Sequence, residues 1–306
     1  MRKKWLLAAA GLVAGLTAAA LDPMEKIGAY SIEVTPELHG TENFFPLGIL
    51  GDRAFSQLPF LGLNITENIY TCYDFRAGKP SQLKKNSRDD KGTYFYCLWA
   101  AHSLYSSRDT ANYGKLKNAM KSDGTAYGNH TISIFDPQTR KYVLDAAAFS
   151  AKSVLERDTD NITLWGIDNE YELPPDYSPE ALAAFRKDLE QMYDGDLDRL
   201  NRAWGSSYRS FAEAVPPAVS ECRERPGAWL DWRRFQDRAY AEFIADYFKA
   251  IRDADPKKRP VISKSTQCTI EMQACVRNRA LDHEVLADLV RDSGQGWYGI
   301  DQYGHG

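Results

Sequence analysis

Leu164-Trp165-Gly166-Ile167-Asp168-Asn169-Glu170-Tyr171 is an apolar run that ends abruptly in three consecutive polar residues. Asn161 to Ile167 has the length and the β-branched and aromatic content of a strand buried on both faces, as found in parallel sheets covered by helices. Asp168, Asn169 and Glu170 then fall at its C-terminal end. In a barrel of alternating strands and helices that end carries the chemistry, because the loops after the strands converge there on one open face. A carboxyl group at such a lip, partly desolvated, keeps a proton near neutral pH and can donate it. The same three residues also suit a strand that simply runs into an acidic turn, and the neighbouring sequence decides between the two.

Upstream, Pro137 to Arg157 predicts a helix, with Pro137 in its first turn and Tyr142, Val143, Ala146, Phe149 and Val154 on the buried side. Before it come strand candidates at Phe44–Leu50, Asn64–Tyr73 and Thr93–Trp99, with a short helical pattern over Arg53–Leu61 and a loop-rich stretch over 103–133. A strand and helix alternation sustained in this way predicts a parallel sheet with helices outside it. Downstream, residues 171–259 read as a helical insertion. Ser178 caps a helix opened by Pro179, with Leu182, Phe185, Leu189 and Met192 as its stripe. Leu197 to Trp204 ends at Gly205, a residue suited to a left-handed cap. Trp229 to Ala254 is a long helix stopped by Pro256. Pro260–Lys264 and Trp297–Asp301 read as the fifth and sixth strands, with a helix over Leu281–Arg291 between them. The fold class is therefore α/β with about six βα units in residues 44–306, either an incomplete (β/α)8 TIM barrel read from a truncated chain, which is favoured, or an open sheet.

Met1 to Ala20 has a basic start, an apolar middle and a small-residue end, the pattern of a secretory signal peptide, with a retained N-terminal anchor as the alternative that its short apolar run disfavours. Residues 21–43 form a polar lead-in. The net charge is −4, and removal of Arg2, Lys3 and Lys4 with the leader makes it −7, which speaks against a nucleic-acid partner. After cleavage no segment is apolar enough to span a membrane. Five cysteines in an exported chain permit disulfides, with Cys268 and Cys275 nearest along the sequence, and the odd count leaves at least one unpaired. The cysteines and five histidines show no metal-ligand spacing, so neither a metal nor a cofactor is expected. Seven Trp and seventeen Tyr supply flat rings that can stack on sugars, although packing is their commoner use.

Three motifs in order carry a family likeness: Trp165-Gly166-Ile167-Asp168-Asn169-Glu170-Tyr171, then Leu200-Asn201-Arg202-Ala203-Trp204-Gly205 followed by Tyr208 and Phe211, then Leu230-Asp231-Trp232-Arg233-Arg234-Phe235. On these the chain resembles the family 42 glycoside hydrolases, mostly β-galactosidases, within the wider group of retaining (β/α)8 glycosidases. The likeness is densest from Trp165 to Phe235 and thins upstream. It implies an oligo- or polysaccharide substrate, Glu170 as general acid/base, Asn169 as the hydrogen-bond partner of the sugar 2-hydroxyl, and Tyr303 lining the cleft.

Retaining enzymes of this kind need a second carboxylate about 5 Å from the first. In the family this is a glutamate at the end of the seventh strand, a position beyond Gly306, and the chain reads as truncated after its sixth strand. The arginine usual on the family's second strand is also missing from Asn64-Ile65-Thr66-Glu67-Asn68-Ile69. The resemblance thus implies a secreted glycosidase acting on β-galactosides or related galactose-containing saccharides, with a degenerate barrel that binds saccharide without cleaving it as the alternative. Trp204 and Trp232, at core spacing on helices, are expected to pack rather than to react.

Overall fold

Asp136 opens the helix that feeds the central strand. Its carboxylate accepts from the Thr139 backbone N–H at 2.9 Å and from the Thr139 hydroxyl at 2.7 Å, and Pro137 follows in the first turn, where no intrahelical donor is needed. The computed structural model describes residues 48–50, 65–71, 75, 93–100, 109–110, 114–128, 131–156, 162–168, 174–263, 265–266 and 283–301. The described elements are β1 (Gly48–Leu50), β2 (Ile65–Thr71), β3 (Thr93–Trp99), a small antiparallel pair β4 (Asp109–Thr110) and β5 (Gly114–Lys115), helix α1 (Pro137–Leu155) and strand β6 (Ile162–Ile167). After them come α2 (Pro179–Met192), α3 (Leu197–Trp204), α4 (Pro226–Ala254), β7 (Val261–Ser263), β8 (Ser265–Thr266), α5 (His283–Asp292) and β9 (Ile300–Asp301). Hydrogen-bonded strand order is β1-β2-β3-β6-β7, so the main strands succeed one another in space as they do in the chain.

The chain divides into two compact units. One comprises residues 1–68, 85–96 and 158–164 and contains β1, parallel to the first residues of β2 with Gly48 opposite Ile65. The other comprises residues 69–84, 97–157 and 165–306. In it β6 and β7 run parallel, with Trp165 opposite Val261 and Ile167 opposite Ser263, and α4 packs against α1 and α5.

The elements follow the sequence reading closely where a cap or stripe marks them. Ser178 caps α2 by accepting from Ala181 N, and Ala181, Phe185 and Leu189 are buried. Gly205 ends α3 at φ 63°, the left-handed geometry that glycine adopts without a Cβ penalty. On α1 Tyr142, Val143, Ala146 and Val154 are buried, whereas Phe149 is only half-buried and meets Phe75 with ring centroids 5.3 Å apart.

Two boundaries differ. Helix α4 begins at Pro226, three residues before the expected Trp229, because a proline that breaks a helix interior fits its first position. The expected sixth strand is interrupted. Trp297 forms an isolated parallel bridge to Ile262, and only Ile300–Asp301 pairs as a strand, with Ser265–Thr266.

Glycine dictates that close approach. A Cβ at position 296 would fall on the Phe248 ring and on the Val261 carbonyl oxygen, well inside van der Waals contact, and that same oxygen accepts from Trp297 N at 2.8 Å. Gly296→Ala is therefore expected to lower stability by about 1–3 kcal/mol through overpacking against backbone. A reduced urea midpoint at unchanged m-value is the expected reading, and an unchanged midpoint would show that the strand can shift to make room.

The two tryptophans of the insertion motifs are core residues. Trp232 meets Phe185 edge-on at 4.7 Å and stacks with Phe235 at 5.6 Å, while Phe185 stacks with Trp204 at 6.1 Å. Asp231, beside Trp232 in sequence, accepts at one oxygen from Trp204 Nε1 at 2.8 Å and from the Tyr193 hydroxyl at 2.6 Å. A buried carboxylate so satisfied locks α2, α3 and α4 together. Asn201 does similar work at the end of α3, its Oδ1 accepting from Tyr208 N and Ser206 Oγ and its Nδ2 donating to Tyr208 O.

Candidate active site

Strand β6 ends at Ile167 and runs into Asp168, which is fully buried and has φ 43°. Aspartate is one of the few side chains that tolerate the left-handed region, so the backbone turns out of the strand direction here, one residue before Asn169. Buried interactions hold the turn. Asp168 N donates to Leu98 O at 2.9 Å, tying the end of β6 to the end of β3. The Asp168 carbonyl accepts from the buried Cys97 thiol. From α4, the Tyr247 hydroxyl lies 3.0 Å from Asp168 Oδ2 and 3.2 Å from Leu98 O, sharing its proton between them, and accepts from Ala100 N at 3.2 Å.

The chain is held again shortly downstream. Pro174 and Pro175 are buried, and Asp176 is 3% exposed. Its carboxylate accepts from Met120 N and Ser178 N, both at 2.9 Å, and from the Ser133 hydroxyl at 2.6 Å. Its backbone N–H donates to Gln236 Oε1 on α4 at 3.2 Å. Burial pushes the Asp176 carboxyl up, against the pull of these donors. A small cleft opens beside this cluster, lined by Ile134, Pro174, Asp176, Arg233, Gln236 and Tyr240. Within its wall Arg233 pairs with Asp237, one turn along α4, at 3.2 Å.

Farther back along β6 the chemistry is structural. Trp165 N donates to Pro260 O at 2.9 Å, and Trp165 Nε1 donates to Asp255 Oδ2, also at 2.9 Å. Asp255 binds Arg259 Nη1 at 2.7 Å, with side chains 0% and 1% exposed. Burial pushes the Asp255 carboxyl up, but the hydrogen bonds from Trp165 and Arg259 and the nearby positive charge outweigh it, leaving it below the usual carboxylate range.

Asn169, Glu170 and Tyr303, the site residues expected from sequence, lie outside the described residues, as do the leader at 1–20, the helical pattern at Arg53–Leu61, Glu172, Cys268 and Cys275. The structure describes the residues on either side of the segment that contains Asn169 and Glu170, Asp168 before it and Pro174 to Asp176 after it. Asp176, Gln236 and Tyr247 were not singled out as site residues. Tyr247 had a signal, since a tyrosine on the apolar stripe of a long helix needs a partner for its hydroxyl.

A sequence profile of the family described as Beta-galactosidase, glycoside hydrolase family 42, matches residues 119–285, more than half of the chain. The chain belongs to glycoside hydrolase family 42. The matched family 42 segment contains α1, β6, the helices α2 to α4 and β7. A beta-galactosidase from an Arthrobacter species is 30% identical over 173 residues, which make up 54% of this chain and 24% of that protein. Among solved structures, the beta-galactosidase of the psychrophilic Marinomonas ef1 aligns at TM-score 0.61 and 16% identity, over 85% of this chain and 41% of that one. The polyextremophilic beta-galactosidase of Halorubrum lacusprofundi aligns at TM-score 0.62 and 19% identity, over 84% and 40%. The aligned part of the chain thus spans about two fifths of those structures and a quarter of the Arthrobacter protein. At such identities the structures establish the fold, part of a (β/α)8 barrel in which β1, β2, β3, β6 and β7 are successive strands.

Proposed function

We propose that the protein is a retaining glycosidase that cleaves β-galactosides or related galactose-containing oligo- and polysaccharides, with Glu170 as general acid/base. The observation that carries this reading is the family match across residues 119–285, which includes the polar end of β6. Asn169 and Glu170 follow directly on the buried Asp168 turn at that strand end, the side of the barrel where side chains from several strands converge.

In the first step Glu170 gives its proton to the glycosidic oxygen as a carboxylate attacks the anomeric carbon. The aglycone leaves and a glycosyl ester forms. In the second step the Glu170 carboxylate takes a proton from water, whose oxygen displaces the ester and restores the starting configuration. Asn169 hydrogen-bonds the 2-hydroxyl, and Tyr303 lines the cleft. The attacking carboxylate is assigned to none of residues 1–306. Glu172 lies only two positions from Glu170 and is a poor candidate to face it across a sugar ring. Met1 to Ala20 directs the chain to export, where polymeric saccharide is accessible.

Proton NMR of 4-nitrophenyl β-D-galactopyranoside incubated with protein expressed from its complete gene tests this reading. The β-anomer of galactose should appear first and mutarotate afterwards. Initial release of the α-anomer would overturn the retaining mechanism. Saturable galactoside binding with no product would overturn catalysis in favour of a binding role.

A further inference from the structure

Segment 169–173 is entered and left through two buried aspartates, and both contact one face of the same helix. Tyr247 meets Asp168 on the near side and Gln236 meets Asp176 on the far side. The two α4 residues are 11 positions apart, about three turns at ~3.6 residues per turn, so they share a face and stand about 16 Å apart along the axis. Neither contact is needed to form the helix. Tyr247 OH and Gln236 Oε1 reach outside α4 to a carboxylate oxygen and a backbone N–H respectively, and each is buried where an unmatched polar group is costly.

We infer that Tyr247 and Gln236 are positioning residues for the reaction, with α4 setting the distance between the two ends of the segment that carries Glu170. This rests on the proposed role of Glu170. A proton donor must sit within hydrogen-bond reach of the leaving oxygen, and a displacement of about 1 Å can cost on the order of 10²-fold in rate. The two residues act through Asp168 and Asp176 and touch no substrate.

The test compares two leaving groups in protein expressed from the complete gene. A 2,4-dinitrophenyl β-D-galactopyranoside departs without acid help, whereas a 4-methoxyphenyl galactoside requires it. Tyr247→Phe and Gln236→Met, which keep volume and remove the polar contact, should each lower kcat/KM, which reports ester formation alone, on the methoxyphenyl substrate about 10- to 100-fold, the larger figure corresponding to a misplacement of about 1 Å. On the dinitrophenyl substrate kcat/KM should fall less than threefold, because its leaving group needs no proton. Gln236→Glu, which keeps an acceptor for Asp176 N, should restore most of the loss. Equal losses of kcat/KM on both substrates, or no loss on either, would overturn the inference. If Tyr247→Phe fails to fold, the Gln236 pair decides the matter alone. Glu170→Ala on the same substrates separates the two ideas. If it lacks the leaving-group dependence, the acid/base reading itself fails; if it shows the dependence and the α4 variants do not, only the positioning role is lost.

Discussion

Glu170→Ala should lower turnover of a 4-methoxyphenyl β-galactoside by about 10²- to 10⁴-fold, the range that a positioned general acid contributes. The effect depends on the step observed. With a dinitrophenyl leaving group the glycosyl ester should form without protonation and then accumulate, because no carboxylate remains to deprotonate water. Added azide needs no base, so it should attack the ester and restore turnover, yielding the β-glycosyl azide. The pH profile follows from the same role. In the wild type kcat/KM should fall as pH rises and the acid loses its proton, and this high-pH limb should be missing in the variant. A Glu170→Ala protein with unchanged turnover, no azide product and an intact high-pH limb would remove Glu170 from the mechanism.

The second large effect concerns stability. Asp255→Ala takes the carboxylate away from a guanidinium that is 1% exposed, and it leaves the Trp165 indole N–H without the acceptor it has now. Removing one partner of a buried ion pair costs about 3–5 kcal/mol, since the surviving charge stays in a poor solvent. The position magnifies the consequence. Asp255 caps the end of α4 and receives Arg259 N at 3.2 Å, so it shapes the turn that delivers the chain into β7, the parallel neighbour of β6. Urea unfolding should show the loss directly.

The pH dependence of that stability has a definite sign. The Asp255 carboxyl is held below its ordinary value in the folded protein, so it favours folding above the unfolded carboxylate range near pH ~4 and loses that contribution as pH falls through the folded value. The stability gap between wild type and Asp255→Asn should therefore narrow on acidification. A gap that is constant from neutral to strongly acidic pH would show that the charge contributes nothing.

Much of this was visible in local chemistry. Pro137, Ser178, Pro179 and Gly205 act within one turn of the chain, through a fixed φ, a capping oxygen or a missing Cβ, and the helices they bound lie where those residues place them. The long apolar β6 and its polar end were equally plain, because a strand buried on both faces has no polar positions to interrupt it. Pro226 was misplaced for the opposite reason, since a proline ends one helix and begins another, and only the packing of the residues after it separates the two cases.

The sequence by itself determined the family, the element order and the polar residues at the end of β6, all of which depend on residues close together in the chain. Tertiary structure alone decided what holds that strand end. Tyr247 reaches Asp168 across 79 residues and Gln236 reaches Asp176 across 60, and the Trp165 indole reaches Asp255 across 90. No periodicity predicts which buried hydroxyl, amide or carboxylate will meet which, because each partner is set by how helix α4 packs against the other elements. The energy of such contacts comes from burial, and burial exists only once the chain has folded.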